Sequence, residues 1–123
     1  MIAGIGVDAV TISRMEKWMD DQSMLSRFFD EKEIAAVKER GAGRVRSLAA
    51  RFAAKEAFGK ALGTGLAGLV LKDIMVVNAV HEKPELLLRG SAREALGARG
   101  VTRVHLSLTH EGDTAIAMVV LEE

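Results

Sequence analysis

The fold is decided by the segment R-V-R-S-L-A-A-R-F-A-A-K-E-A-F-G-K-A-L-G-T-G, which runs from Arg44 to Gly65. It is rich in alanine, contains no proline and ends at two glycines, so it predicts one long helix that stops near Leu62. Residues three and four positions apart share a helix face, and one such row holds Ala49, Ala53, Glu56 and Lys60. The small residues would let another backbone approach closely, with a carboxylate and an ammonium at the edge of that contact.

Strands are predicted on both sides of this helix. The apolar segment I-A-G-I-G-V-D predicts a strand from Ile2 that ends near Asp8. Later strands are predicted over four ranges: Ile74–Val80, Glu85–Arg89, Arg103–Thr109 and Thr114–Leu121. Turn residues at 82–84 and 111–113 separate neighbouring strands, and the last two strands are expected to form a hairpin.

Shorter helices complete the pattern. One is expected from Arg14 to Met19, and two more begin at capping pairs, namely Asp30 with Glu33 and Ser91 with Glu94. Because strands and helices do not alternate strictly, the sequence predicts an α+β fold. We expect a single domain over residues 1–123, with a largely antiparallel sheet packed on one long and several short helices.

Composition excludes several classes of protein. The formal net charge is zero, which argues against a nucleic-acid binder, and no apolar run approaches the roughly 20 residues of a membrane span. No signal peptide is evident, so a cytoplasmic protein is expected. The lack of cysteine leaves oxygen or imidazole as the ligands for any metal.

Positive charge is concentrated in the helical region. Between Lys38 and Lys60 there are seven basic and two acidic residues. This excess favours an anionic ligand or an acidic partner nearby, although a solvated helix face would have the same composition.

Asp8 and Glu56 are the first candidates for chemistry. Each interrupts an apolar or alanine-rich pattern, and two carboxylates from separate elements suit Mg²⁺ better than Zn²⁺. Lys60, one turn beyond Glu56, could neutralise phosphate oxygens. Taken alone, Asp8 could equally cap a turn, and Glu56 could simply pair with Lys60 along the helix.

Two further motifs are polar. Gly63-Thr64-Gly65 could line a phosphate site, but glycines after a helix more often form its C-cap, and the segment lacks the P-loop pattern. The segment from His105 to His110, H-L-S-L-T-H, places alternate polar residues on one face of a strand. A solvated edge strand explains this alternation, and a Ser/His/Asp triad is disfavoured because there is no nucleophile elbow.

Taken together, three motifs resemble those of the holo-acyl-carrier-protein synthases: G-I-G-V-D-A-V-T-I-S-R at 4–14, R-F-A-A-K-E-A-F-G-K-A-L-G-T-G at 51–65 and H-L-S-L-T-H at 105–110. Their order and spacing match, and the resemblance extends over essentially the whole chain. The pattern departs at Ala9-Val10-Thr11, at Ser47 and over 41–45, where the usual lysine-rich segment is missing.

The resemblance implies an activity. The family transfers 4′-phosphopantetheine from coenzyme A to a serine of apo-acyl carrier protein in fatty acid biosynthesis, releases adenosine 3′,5′-bisphosphate and requires Mg²⁺. It also implies a homotrimer with active sites at the subunit interfaces.

The resemblance further implies residue roles. Asp8 and Glu56 would hold the metal, Lys60 would contact the diphosphate, and the serine proton would pass to Glu56 or to a metal-bound water. Arg14 would face the acidic helix of the carrier protein. Arg51 and His110 would lie near the 3′-phosphate of the coenzyme A nucleotide. The remaining coenzyme A contacts would come from Gly63, Thr64, Gly65 and Thr109.

Two other functions remain open from the sequence. One is a different Mg²⁺-dependent enzyme that cleaves a diphosphate, since the same carboxylates would serve it. The other is a non-catalytic module that binds an acidic protein through Arg14 and the basic segment.

Overall fold

The computed structural model describes residues 1–78 and 83–123. Its strands are β1 (Ile2–Thr11), β2 (Ile74–Asn78), β3 (Pro84–Leu88), β4 (Arg103–Glu111) and β5 (Thr114–Glu122). Its α-helices are α1 (Glu16–Met19), α2 (Gln22–Phe28), α3 (Glu31–Lys38), α4 (Arg44–Leu62) and α5 (Gly90–Ala98). Short 3₁₀ turns cover Ile12–Met15, Gly41–Gly43 and Leu71–Asp73.

The strands form two antiparallel sheets within the described ranges. One sheet has the order β1-β5-β4, with β4 and β5 joined as the expected hairpin, and the other pairs β2 with β3. Helix α4 packs along the first sheet, and its alanines form much of the buried core. The predicted α+β single domain with antiparallel pairing is confirmed.

Strand β1 lies against α4 at very short range because Gly4 and Gly6 have no side chains. A Cβ atom on Gly6 would lie 2.0 Å from the Ala57 carbonyl oxygen, and one on Gly4 would lie 2.0 Å from that of Ala61. The expected close approach of another backbone therefore exists. It falls at Ala57 and Ala61, one or two turns beyond the alanines that the sequence had indicated.

We expect Gly6→Ala to lower the free energy of unfolding by about 3 kcal/mol or more, because the new methyl group has only backbone to displace. Gly97→Ala is the matched control. Gly97 lies on α5, and a Cβ atom added there would have no neighbouring atom within 4 Å. It should be neutral or stabilising by up to about 1 kcal/mol. Urea unfolding of both variants measures the difference, and equal effects would refute the close contact.

Three expectations need correction or limits. Strand β1 continues past Asp8 to Thr11, because residues 9–11 go on pairing with β5. Ser91 is not an N-cap, since its hydroxyl and backbone N–H donate to Asp73 and Arg89 occupies the cap position. Residues 79–82, where the strand from Ile74 and its turn were expected to continue, lie outside the described residues.

None of the described residues covers the face of the first sheet that lies opposite α4. Ile5 and Val7 on β1 are 59% and 56% exposed, and Met118 beside them on β5 is 42% exposed. Alternation along the strands explains the arrangement, because the residues between them point into the core. Such neighbouring apolar residues on one flat face mark a surface that another molecule could cover.

Within residues 1–78 and 83–123, every helix is too short or too polar to span a lipid bilayer.

Candidate active site

Asp8, Glu56 and Lys60 lie together where β1 crosses α4. Asp8 points to the same side of its strand as Gly6, so the glycine contact brings its carboxylate up to the helix. The Lys60 ammonium donates to Asp8 Oδ1 at 2.9 Å and to the Val7 carbonyl at 3.2 Å. Glu56 lies one turn earlier on α4. Lys60 therefore pairs across the structure with Asp8 and not along the helix with Glu56.

Two groups in this cluster, Glu56 and Lys60, have shifted pKa values. Partial burial, and then the Asp8 carboxylate, raise the pKa of Glu56 above its ordinary value, while Lys60 acts in the opposite direction. The hydrogen bond to Asp8 raises the pKa of Lys60, which stays a cation. A carboxylate with a raised pKa beside a second carboxylate is suited to accept a proton or to bind a cation.

A cavity of about 450 Å³ opens beside the two carboxylates and is here called the carboxylate cavity. Asp8 and Glu56 form its acidic wall, and Arg14 and Lys17 form its basic wall. Met15, Trp18 and Phe52 supply apolar surface. The cavity can therefore receive a molecule that carries both phosphate and a less polar arm.

The donor set fits Mg²⁺. Two carboxylates from different elements are the usual protein share of a magnesium shell, with water and phosphate oxygens completing it. A cation between Asp8 and Glu56 would also relieve the repulsion that helps to raise the pKa of Glu56. No cluster of three or more acidic or histidine side chains occurs among the described residues, so the remaining ligands would have to come from water and substrate.

A second cavity, of about 460 Å³, is here called the arginine cavity. Arg51, Thr109 and His110, three of the residues that the resemblance implied for coenzyme A contacts, line it together. Arg40 and Arg46 also line it, which the sequence did not single out, whereas Arg44 donates to the Gly41 carbonyl. The surplus of cationic side chains makes this cavity suited to a phosphate group.

Gly63, Thr64 and Gly65 lie just beyond Lys60 and serve as the end of α4. Gly63 has a φ of 83° and its N–H donates to the Lys60 carbonyl, while the Gly65 N–H donates to that of Gly59. These residues are not among those that line the carboxylate or arginine cavity. The C-cap interpretation is confirmed, and a contact with coenzyme A stays a prediction.

Strand β4 is an edge strand, as the alternation of polar residues had suggested. His105 and Ser107 are exposed, and the His105 ring lies 3.0 Å from the Glu122 carboxylate. The end of the motif, Leu108, Thr109 and His110, lines the arginine cavity.

Sequence reasoning missed the buried pair formed by Glu33 and Lys55. Their charged groups lie 2.8 Å apart, and both side chains are fully buried between α3 and α4. A signal was present, because Lys55 lies seven residues from both Leu48 and Leu62 and so falls in the middle of a core row.

The raised pKa of Glu56 predicts how stability depends on pH. Because the pKa of Glu56 is higher in the folded than in the unfolded protein, protonation of Glu56 favours folding. The free energy of unfolding of the wild type, relative to that of Glu56→Gln, is therefore greatest below about pH 4, the pKa of Glu56 in the unfolded protein. It falls as pH rises through the pKa of Glu56 in the folded protein. Without divalent metal, Glu56→Gln should therefore be the more stable protein at pH 7. Thermal unfolding across pH tests this, and a difference that stays constant with pH would contradict it.

Comparisons with known proteins show the family of this chain. A family model described as the 4′-phosphopantetheinyl transferase superfamily matches residues 4–119. A holo-[acyl-carrier-protein] synthase of Treponema denticola is 54% identical over 122 residues, which cover 99% of each chain. A protein of the same name from Treponema pallidum is 45% identical over 122 residues, or 99% of this chain and 97% of the relative.

Solved structures extend the likeness to three dimensions. The holo-[acyl-carrier-protein] synthase of Neisseria meningitidis superposes with a TM-score of 0.89 at 36% identity, covering 100% of both chains. That of Helicobacter pylori, in complex with coenzyme A, gives a TM-score of 0.82 at 31% identity over 96% of this chain and 99% of the other. Since family, sequence and fold agree over nearly its full length, the chain belongs to the 4′-phosphopantetheinyl transferase superfamily, among the holo-[acyl-carrier-protein] synthases.

Proposed function

We propose that this enzyme transfers 4′-phosphopantetheine from coenzyme A to a serine of apo-acyl carrier protein and releases adenosine 3′,5′-bisphosphate, in fatty acid biosynthesis. The main support is the cluster of Asp8, Glu56 and Lys60, in which Lys60 donates to Asp8 while Asp8 and Glu56 line the carboxylate cavity. Relatives whose names state this synthase activity, two of them solved with coenzyme A or its nucleotide, support it.

Asp8 and Glu56 are proposed to hold Mg²⁺. When bound, the ion supplies positive charge to the diphosphate, which favours departure of the bisphosphate. The two carboxylates come from β1 and α4, so the position of the ion depends on the close packing of these two elements.

Lys60 and Glu56 are proposed to act on the reacting groups. The carrier serine oxygen attacks the β-phosphorus in line, a new P–O bond forms, and the bond to the bisphosphate oxygen breaks. Lys60 stabilises charge on the diphosphate oxygens, and Asp8 orients its ammonium. Glu56 receives the serine proton, directly or through water, and its raised pKa makes it a better base than an ordinary glutamate.

The nucleotide end of coenzyme A is proposed to occupy the arginine cavity. Arg51 and His110 would contact the 3′-phosphate, with Thr109 beside them. Gly63, Thr64 and Gly65 lie next to Lys60 at the end of α4, where their backbone could approach the diphosphate. Arg14, exposed on the rim of the carboxylate cavity, is positioned to face the acidic helix of the carrier protein.

A homotrimer is proposed to complete the site. Arg51 and Glu56 are five residues apart on α4, so they point about 140° away from each other around the helix. Their cavities have no lining residue in common. One coenzyme A molecule could reach both kinds of cavity if it lay between two subunits, joined through the uncovered apolar face of β1 and β5.

The subunit proposal predicts the effect of Val7→Lys. A charge in the middle of the uncovered face should shift the protein from trimer to monomer and reduce transfer, while the fold survives because Val7 is 56% exposed in the single chain. Leu87→Lys, at a 53% exposed position on β3, is the matched control. Light scattering and transfer rates measure both effects, and a trimeric Val7→Lys protein would contradict the proposed interface.

Product analysis tests the activity against its rivals. Release of adenosine 3′,5′-bisphosphate should require apo-acyl carrier protein and Mg²⁺ in addition to coenzyme A. Release without the carrier would instead indicate a hydrolase that cleaves diphosphates. Carrier binding unaffected by Asp8→Ala, with no turnover, would indicate a non-catalytic module.

We further propose that residues 1–123 act as one transferase domain in the cytoplasm, where its carrier protein is expected. Its zero net charge supports partners other than nucleic acid. Carrier protein, coenzyme A and two further copies of the chain are the proposed partners, with no role for a membrane.

A further inference from the structure

Strand β2 has one edge paired with β3 and another edge that no strand covers among the described residues. The backbone groups on that second edge are bound by side chains of α3 and α4. Lys55 donates to the carbonyl of Ile74, Glu33 accepts from the N–H of Val76, and Arg51 donates to the carbonyl of Val76. Side chains thus replace a missing neighbouring strand, because buried backbone groups need partners.

The charged groups of Glu33 and Lys55 are fully engaged in hydrogen bonds. Glu33 Oε1 accepts from Lys55 at 2.8 Å and from the Asp30 N–H at 3.2 Å, and Oε2 accepts from the Val76 N–H at 3.1 Å. The ammonium of Lys55 donates to Glu33 and to the carbonyls of Leu71 and Ile74, which uses its three protons. Both side chains are fully buried, so neither has a donor or acceptor to offer a ligand.

Val76 connects this buried pair to the arginine cavity. The Arg51 guanidinium donates from Nη1 to the Val76 carbonyl at 2.6 Å, and Val76, Asn78 and Arg51 all line the cavity. Arg51 Nε is buried without a partner in the described part of the chain. The orientation of Arg51 in the wall of the cavity therefore depends on where Val76 is held.

We propose that Glu33 and Lys55 are positioning residues for the nucleotide end of coenzyme A. Glu33 holds Val76 by its N–H, and Lys55 holds both Glu33 and the Ile74 carbonyl on the same strand edge. The Val76 carbonyl, clamped in this way, in turn holds Arg51 toward the arginine cavity. This inference rests on the proposed function, because it assigns the 3′-phosphate end of coenzyme A to that cavity. Neither residue touches the substrate, and the two act through the strand edge.

Glu33→Gln is the variant that tests the clamp. Glutamine keeps the size of the side chain, but Lys55 and the Asp30 N–H would hold its single amide oxygen at the position of Oε1. Its NH2 group would then face the Val76 N–H and could not accept from it. We expect adenosine 3′,5′-bisphosphate to bind about tenfold more weakly by calorimetry, and KM for coenzyme A to rise similarly, with kcat changed less than about twofold. Bisphosphate affinity within about twofold of wild type in the folded variant would overturn the proposal.

Asp30→Ala is the matched control. It removes the N-cap of the same helix and the ion pair with Arg89, but it leaves Val76 untouched. It should lower the free energy of unfolding by about 1 kcal/mol. The variant thus destabilises α3 while the hydrogen bond between Glu33 and Val76 is kept, so it separates the two effects. Bisphosphate affinity should stay within about twofold of wild type, and an equal loss in both variants would also overturn the proposal.

Amide exchange in the wild-type protein gives a test that requires no variant to fold. If bisphosphate binding needs the clamped state of Val76, the ligand should slow exchange of the Val76 amide more than that of Ala92, a buried amide on α5. Equal slowing of the two amides would contradict the clamp. If wild-type protein neither binds bisphosphate nor transfers phosphopantetheine, the proposed function itself fails, which is a different result from either of these.

Discussion

Replacing Glu56 with glutamine is expected to lower kcat for phosphopantetheine transfer at least about a hundredfold, while the protein stays folded. Glutamine keeps the shape of the side chain but can neither accept the serine proton nor give a metal its negative charge. The measurement is the initial rate of transfer to apo-acyl carrier protein at saturating coenzyme A and Mg²⁺. Thermal unfolding of the same samples establishes that the fold is retained.

Two comparisons make this result specific. Glu94→Gln changes the same kind of side chain at an exposed position on α5 and should leave the rate unchanged. Mg²⁺ should raise the melting temperature of the wild type and have much less effect on Glu56→Gln, because a ligand stabilises only the state that binds it. Near-normal transfer by Glu56→Gln would remove Glu56 from both of its proposed roles.

Replacing Lys55 with methionine should cost about 3–5 kcal/mol of unfolding free energy, the range for breaking a buried ion pair from one side. The loss arises because the buried Glu33 carboxylate would be left without its cationic partner, and the Leu71 and Ile74 carbonyls would lose a donor. Denaturant unfolding at neutral pH measures it.

Lys38→Met is the control for this stability prediction. Lys38 is exposed at the end of α3, so the same chemical change there should alter stability by less than about 0.5 kcal/mol. A Lys55→Met protein as stable as the wild type would mean that Lys55 does not satisfy the strand edge in the way its contacts indicate.

Local patterns in the sequence were sufficient to predict the long helix and the last hairpin. Alanine content and the closing glycines set the bounds of α4, and alternation around Gly112 set those of β4 and β5. The strand at Asp8 was predicted too short because an aspartate after an apolar run resembles a strand end. Its pairing with β5 out to Thr11 is a long-range contact that local composition does not contain.

The sequence brought Asp8, Glu56 and Lys60 forward as candidates, but their proximity depends on Gly4 and Gly6 meeting the Ala57 and Ala61 carbonyls. That contact joins positions about fifty residues apart in the chain, so periodicity could only suggest it. Only the family motifs favoured a functional role for these residues over the structural alternatives, which were turn capping for Asp8 and pairing with Lys60 along the helix for Glu56. The Glu33–Lys55 pair stayed hidden for a related reason, since a charged residue in a core row reveals its partner only after folding.

The intact mass of the carrier protein reports directly whether the proposed transfer takes place. Apo-acyl carrier protein incubated with this enzyme, coenzyme A and Mg²⁺ should gain the mass of one phosphopantetheine group at its serine, and its Ser→Ala variant should gain none. A carrier of unchanged mass after incubation with folded, trimeric enzyme would contradict the account.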